Sequence, residues 1–596
     1  MPSSFFRKER LGNVCALAGI AIAGLIVYAN SFSGVFLFDD WFHIEQGVRI
    51  RRLWPPWGWL SSQRPVVTLS LAVNYMVGGL RPGGYHAVNV AVHLLAGCVL
   101  YGVILRTLRR PVLRETFGSA ARMPAFASAL IWTVHPLQTE SVTYIVQRSE
   151  SMMGLAYLLT LYSAIRAFEA RRPWGWFLVA IVCCILGMAT KAVMITAPLI
   201  VLTYDVMFVS GSVREALGRR WAFYLALAAT VGVLWMTGTA PHVLGLSGRR
   251  AHVGLAVSDV TPLAYALTQG GVWVHYLRLA LWPDDLCLDY GWPLASRVSD
   301  VVWPSLIVVP LVVGTVIACW KRKPIGFLGW WFVVILAPTS SVIPLKDPAF
   351  EHRMYLPLAA VVAAVVLGAY RVGQRRDSFL SFPRWPAAWA SLVAVAVALG
   401  WRTADRNRDY ESAVTMWADT VRKRPENLRA RLALGTALVE AGRPAEAVSV
   451  FRRVLDRDPG NEQAYCGLGS ALGRLGRLDE ALQAEEAAIR LNPRLAAAHY
   501  NRGNLLLARG DPAGAMEAFE QAVKLAPGFI EARCNLALRL QERGRLDEAE
   551  RHYRAALQRD PDHDKTNYNF GNLLLSRDRL EEAAACYRRA LRRNPR

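Results

Sequence analysis

No C-x-x-C pair occurs among the nine cysteines of this 596-residue chain. Most of them sit in apolar runs (Cys15, Cys98, Cys183, Cys184, Cys319) or at small-residue helix positions (Cys466, Cys534, Cys586). That placement excludes a zinc ribbon and a disulfide framework and leaves packed thiols. No N-x-S/T sequon occurs either, which fits a bacterial inner membrane with a periplasmic active face better than an endoplasmic reticulum lumen. Charged residues are scarce, 19% against 53% hydrophobic, so an ordinary soluble enzyme is excluded. Acidic residues are scarcer still, 46 against 68 basic ones for a net charge of +22. The excess does not mark a nucleic-acid partner. Arg and Lys cluster in short loops between apolar runs and on the polar faces of C-terminal helices, the pattern of cytoplasmic membrane loops.

What the chain has in abundance, up to about Trp401, is apolar runs near the length that spans a bilayer. The first, "LGNVCALAGIAIAGLIVYAN", follows "RKER" and lacks a small-x-small cleavage site. It reads as a retained signal anchor with Met1 in the cytoplasm. Further spans are expected near 87–106, 124–142, 152–169, 174–190, 192–209, 221–238, 301–319, 325–343, 355–370 and 386–401. The stretch 262–282 carries Gln269, His275 and Arg278; counting it would move the basic turns "KRK" and "RVGQRR" to the outer face, so it is excluded. About eleven spans remain. An odd number puts the C-terminal region on the same, noncytoplasmic side as the loop after the first span.

Beyond the spans, Pro425, Pro459, Pro493, Pro527, Pro561 and Pro595 recur every 34 residues, the tetratricopeptide period. Gly435, Gly469, Gly503 and Gly571 share one register, with Ala537 in the fourth copy; Phe451, Phe519, Tyr553 and Tyr587 share another, broken by Glu485. The expected fold class is all-α: a polytopic membrane domain over 1–401, a half-repeat junction over 402–427, and five repeats over 428–596 forming an α-solenoid. Such a solenoid offers a concave groove for a peptide or partner protein.

Polar groups gather on the predicted outer face. Asp39, Asp40 and His43 follow the first span; Arg64 lies in "QRPVVTLSL"; His86 and Asn89 lie in "YHAVNVAVH". "HPLQTESVTYIVQRSE" supplies His135, Glu140 and Arg148, Lys191 follows the fifth span, and "EHRMYLP" supplies Glu351, His352 and Arg353. Ionisable groups at membrane depth are costly unless they face a cavity or one another. Singly, each can be a cap or an interfacial ion pair; gathered, they indicate a site. Sugar transfer from a lipid-linked phosphate needs a base for the acceptor hydroxyl and cations for the departing phosphate. Arg148, Lys191 and Arg353 are the candidate phosphate ligands. Two adjacent carboxylates resist ionising together, so one is suited to act as base while the other positions the acceptor. No ligand cluster beyond the carboxylates demands a metal.

The blocks "FLFDDW", "RPVVTLSLAVNYMVGGLRPGGYHAVNVAVHLL", "HPLQTESVTYIVQRSE", "ATKAVMITAPLIVLTYDV" and "EHRMYLPLAAVV", in that order and followed by repeats, resemble the transmembrane and tetratricopeptide-repeat protein O-mannosyltransferases and their bacterial relatives. The resemblance implies a GT-C glycosyltransferase fold, a polyprenyl-phosphate sugar donor, and inverting transfer of a hexose to protein Ser or Thr, with no cofactor required. It places the acidic pair on Asp39 and Asp40, one of them the base. Arg64 falls in an Arg-Pro motif, His135 and Glu140 in a His-Pro block with Arg148 at its end, and Glu351 and Arg353 in a Glu-x-Arg-x-Tyr motif. The family commonly has Lys-Glu where this chain has Lys191-Ala192. Two other readings share the architecture: a noncatalytic repeat scaffold, and an oligosaccharide ligase or polymerase using a lipid-diphosphate donor.

Overall fold

Proline marks the first turn of helix after helix in this computed structural model, which describes residues 2–246, 260–375 and 384–593. Pro65, Pro82, Pro111, Pro262 and Pro324 each open one, a position where a missing N–H costs nothing. Arg376 of the basic turn and Pro595 of the repeat series lie outside the described residues. Among the described residues the chain is all-α. It divides into two units, Met1–Met416 and Trp417–Arg596.

Among the described residues of the first unit, seven helices are long and apolar enough to cross a membrane: Glu9–Val27, Pro82–Leu108, Ile145–Glu169, Ala192–Ser210, Val298–Trp320, Pro357–Gln374 and Ala387–Glu411. Four other expected spans form shorter helices, and the sequence shows why. Arg122–Val134 stops because His135 precedes Pro136 and takes an extended conformation. Pro324–Leu336 ends just before Pro338. Val213–Ala229 is kinked at Arg220, and Trp174–Met188 is 15 residues long. The excluded stretch forms one continuous helix, Pro262–Leu281, that buries Gln269, Trp273, His275 and Tyr276. Gln269 and His275 are buried within the unit, the placement they require at membrane depth, while Arg278 near its end is exposed and pairs with Asp284. Val298–Trp320, apolar all round, buries only Pro304 and Thr315; its uncovered surface suits lipid.

The core of this unit centres on Arg122–Val134. Its Trp132 indole donates to the Tyr355 carbonyl at 2.9 Å, and Trp331 donates to Leu356 at 2.8 Å. Gly154 is required where Arg148–Glu169 passes Tyr355, since a Cβ there would lie 2.4 Å from the ring.

The second unit holds five helix pairs, from Leu428–Glu440 with Pro444–Leu455 to Asp564–Ser576 with Leu580–Arg593. The sequence registers meet in space: a Cβ on Gly435, Gly503 or Gly571 would strike the ring of Phe451, Phe519 or Tyr587 at 2.5–2.7 Å. In the second repeat Gly469 faces Glu485 in the aromatic position. The turn inside each pair needs a left-handed residue, supplied by Gly442, Gly476, Gly510 and Gly544 and, in the fifth repeat, by Asp578 with φ 60°.

Candidate active site

The loop after the first helix turns sharply at Phe38, whose φ of 47° lies in the left-handed region that a phenylalanine avoids. Such strain persists only where the surroundings enforce it. Its effect is to send the next two carboxylates into opposite environments. Asp40 is fully buried; one carboxylate oxygen accepts the Leu37 N–H at 3.0 Å and the other accepts the Val146 N–H at 2.7 Å. Burial outweighs these two donors, the charge of Asp39 adds to it, and the Asp40 carboxyl is pushed up to about 8. Asp40 is therefore largely protonated at neutral pH and locked to two backbone segments. Asp39 is exposed. Its own N–H donates to the Tyr144 hydroxyl at 2.8 Å, and its charge acts on His43 and Arg64.

Arg64 stands exposed at the start of the Pro65–Gly78 helix and lies in the field of both Asp39 and Glu150. Glu150, on the first turn of Arg148–Glu169, is buried and pairs with Lys191. Lys191 in turn acts electrostatically with Arg64. Asp39, Arg64, Lys191 and Glu150 thus form one electrostatic neighbourhood drawn from four chain segments.

Three other expected site residues lie in the field of the same group: Glu140, His352 and Arg353 each act electrostatically with Lys191, and Arg148 acts on Asp40. Arg148 is fully buried and committed: Nε donates to Asn89 at 2.8 Å, Nη1 to Asn74 at 2.6 Å and to Ser70, and Nη2 to the Tyr85 carbonyl at 2.9 Å. Arg353 binds the carbonyls of Thr339, Pro348 and Asp347 at 2.6–3.1 Å and so anchors the 339–348 loop. Neither guanidinium presents an open donor face, because a buried cation must satisfy its donors internally. His135 caps its own turn, accepting from Leu137, and contacts the Ala280 carbonyl at 3.2 Å.

Glu140 clasps His352 twice, accepting from its backbone N–H at 2.8 Å and meeting Nδ1 at 2.7 Å. Burial pushes the Glu140 carboxyl up to about 8 and the His352 imidazole well down. Glu351 accepts from the Tyr290 hydroxyl at 2.6 Å and from the Cys287 N–H, and burial pushes it up to about 7. These carboxyls join the 136–142, 283–290 and 347–355 loops.

Sequence reasoning missed Glu150, Tyr144 and Asn407. Asn407, fully buried near the end of Arg384–Arg408, accepts from Thr143 at 2.7 Å and donates to Asn30 at 3.0 Å and the Val27 carbonyl at 3.2 Å. It fastens the segment carrying Val146, which holds Asp40, to the end of the first helix. Glu150 carried a readable signal, a carboxylate two residues past Arg148 at the head of an apolar helix. Among the described residues no group of three or more His, Cys, Asp or Glu side chains could hold a metal ion.

Known proteins share both parts of this architecture. The sequence profile of the dolichyl-phosphate-mannose-protein mannosyltransferase family matches residues 87–236. Tetratricopeptide-repeat profiles match 402–462, 466–528, 534–596 and, overlapping these, 506–551. Protein O-mannosyl-transferase Tmtc3 of Drosophila melanogaster is 25% identical over 522 residues, 74% of this chain and 55% of that protein. Protein O-mannosyl-transferase TMTC2 of Mus musculus is 29% identical over 339 residues, 50% of this chain and 38% of that protein. The chain spans about half the length, or less, of these curated relatives. Among solved structures, the crystal structure of MamA matches with 26% identity and a TM-score of 0.23, covering 27% of this chain and 94% of that one.

Proposed function

We propose that this chain, a relative of the transmembrane and tetratricopeptide-repeat protein O-mannosyltransferases, is an inverting membrane glycosyltransferase. It takes a hexose from a polyprenyl-phosphate donor and passes it to Ser or Thr hydroxyls of a protein held by the repeats. The observation that carries the reading is the exposed Asp39 carboxylate in the field of Arg64, which in turn acts with Lys191. Asp39 takes the proton of the acceptor hydroxyl as its oxygen attacks the anomeric carbon. The carbon–oxygen bond to phosphate breaks on the opposite face, the anomeric configuration inverts, and polyprenyl phosphate leaves. Arg64 and Lys191 receive the charge developing on that phosphate.

Asp40, held protonated, acts as a positioning residue: it fixes the turn that aims Asp39. Inverting transfer from a monophosphate donor has no necessary metal, and the two cations supply charge stabilisation at the phosphate. We further propose an inner-membrane location with the N-terminus cytoplasmic and with Asp39 and the repeats periplasmic, following the distribution of basic loops.

The test is transfer from radiolabelled polyprenyl-phosphate mannose, polyprenyl-phosphate glucose and a polyprenyl-diphosphate sugar to outward-facing proteins by purified protein in nanodiscs. Labelled product from a monophosphate donor, lost in Asp39→Asn, supports the reading. Transfer only from a diphosphate donor, or none by a folded protein, refutes it.

A further inference from the structure

A second feature of the membrane unit lies at the opposite end of the helices that carry the site. An apolar groove runs between Pro82–Leu108, Pro324–Leu336 and Pro357–Arg375, and the short Pro111–Phe117 helix closes one end with Leu113 and Phe117. Its floor exists because Pro357–Arg375 presents Ala360, Ala363, Ala364 and Gly368 there. The stretch from Ala360 to Arg371 spans about 17 Å at 1.5 Å per residue, close to the roughly 15 Å hydrocarbon depth of one leaflet.

Arg371 lines the mouth, its guanidinium 5.4 Å from the Phe117 ring, which stacks on Tyr370. Of the neighbouring arginines, Arg106 and Arg110 pair with Glu169, and Arg109 with Glu9. Arg371 has no ion pair with any described carboxylate. A cation lining the mouth of an acyl-deep apolar groove matches an amphiphile with an anionic headgroup. We propose that this groove binds one anionic phospholipid from the leaflet at the basic end of the unit, acyl chain along the alanine floor and phosphate on Arg371. Asn89 lies about three turns up Pro82–Leu108 from Leu100, where the groove begins, so this lipid is distinct from a donor bound at Asp39.

The test is native mass spectrometry of the full chain from nanodiscs of phosphatidylglycerol, of phosphatidylcholine, or of phosphatidylcholine doped with undecaprenyl phosphate. A Cβ at Gly368 meets no atom within 4 Å, so Gly368→Trp fills the groove without a backbone clash and Gly368→Ala leaves it open. The expected result is one phosphatidylglycerol retained per chain and no phosphatidylcholine. Occupancy should fall at least tenfold in Arg371→Glu and Gly368→Trp and persist in Gly368→Ala. Equal retention of phosphatidylcholine, retention unaffected by Gly368→Trp, or a Gly368-dependent undecaprenyl phosphate adduct would each overturn the proposal, the last by showing that the groove holds a donor tail.

Discussion

Asp39 and Asp40 are neighbours in the chain and opposites in environment: Asp39 is exposed, while both carboxylate oxygens of Asp40 are bound to the N–H groups of Leu37 and Val146. A two-carboxylate site in which one member stays protonated assigns roles by burial. Asp40 holds the turn, and in the proposed reaction Asp39 is the base.

Asp40 also makes a stability prediction. Its carboxyl titrates near 8 in the fold and near 3.8 when exposed, so between these values the native state binds more protons than the unfolded state. Stability then falls as pH rises from about 4 to 8, by at most ~1.4 kcal/mol per pH unit. Thermal unfolding of Asp40→Asn against wild type from pH 5 to 8 should show a shallower slope in the variant; parallel slopes would place the titration elsewhere.

The cations divide into two classes. Arg64→Ala should raise the KM for the lipid donor about ten- to hundredfold, corresponding to ~1.5–3 kcal/mol for a charged hydrogen bond, in protein that still folds; Lys191→Ala should do the same and also lower the melting temperature, because it strands the buried Glu150 carboxylate. Arg148→Ala strands the buried Asn74 and Asn89 acceptors, and Arg353→Ala strands the carbonyls of the 339–348 loop. Both should lower the melting temperature and the yield in membranes, as size-exclusion profiles and thermal scans will report.

Much of this was legible in the sequence because it is periodic. The 34-residue registers meet as glycine on aromatic ring, with Glu485 as the readable exception. The acidic pair stood out by its place after an apolar run. What distinguishes Asp39 from Asp40, or Arg64 from Arg148, was not legible. That difference is made by Val146, Asn74 and Asn89, which reach their partners over 59 to 106 residues of chain, and local pattern carries no record of such pairings. The same holds for Lys191: the residue after it is Ala192, yet a carboxylate reaches it from Glu150 on another helix.

Asn407 fastens two backbone segments that define the Asp40 pocket. Asn407→Leu leaves Thr143 and Asn30 without it, at about 1–3 kcal/mol, and loosens the turn. The expected outcome is a fall in kcat with an unchanged KM for the acceptor protein, and partial rescue in Asn407→Asp, which keeps the acceptor for Thr143. A KM effect alone would contradict the positioning role.

Glu485 is fully buried against Gly469, Cys466 and Asn501, and burial holds its carboxyl far above the usual range. Burying it ionised costs stability as pH rises above about 5. Glu485→Phe restores the aromatic found at this register in Phe451 and Phe519 and should stabilise the repeats by about 1–3 kcal/mol. Hydrogen exchange in the Leu478–Leu491 helix should then be slower in the variant, with a larger difference at pH 8 than at pH 5 after correction for intrinsic exchange.

The most direct test is intact-mass analysis of outward-facing proteins from cells carrying wild type, Asp39→Asn or Asp40→Asn at equal membrane abundance. The account predicts hexose-sized increments with wild type, their loss by about a hundredfold or more with Asp39→Asn, and a reduced but measurable residue with Asp40→Asn. Unchanged increments in Asp39→Asn would contradict it, because the proposed reaction takes the acceptor proton on that carboxylate.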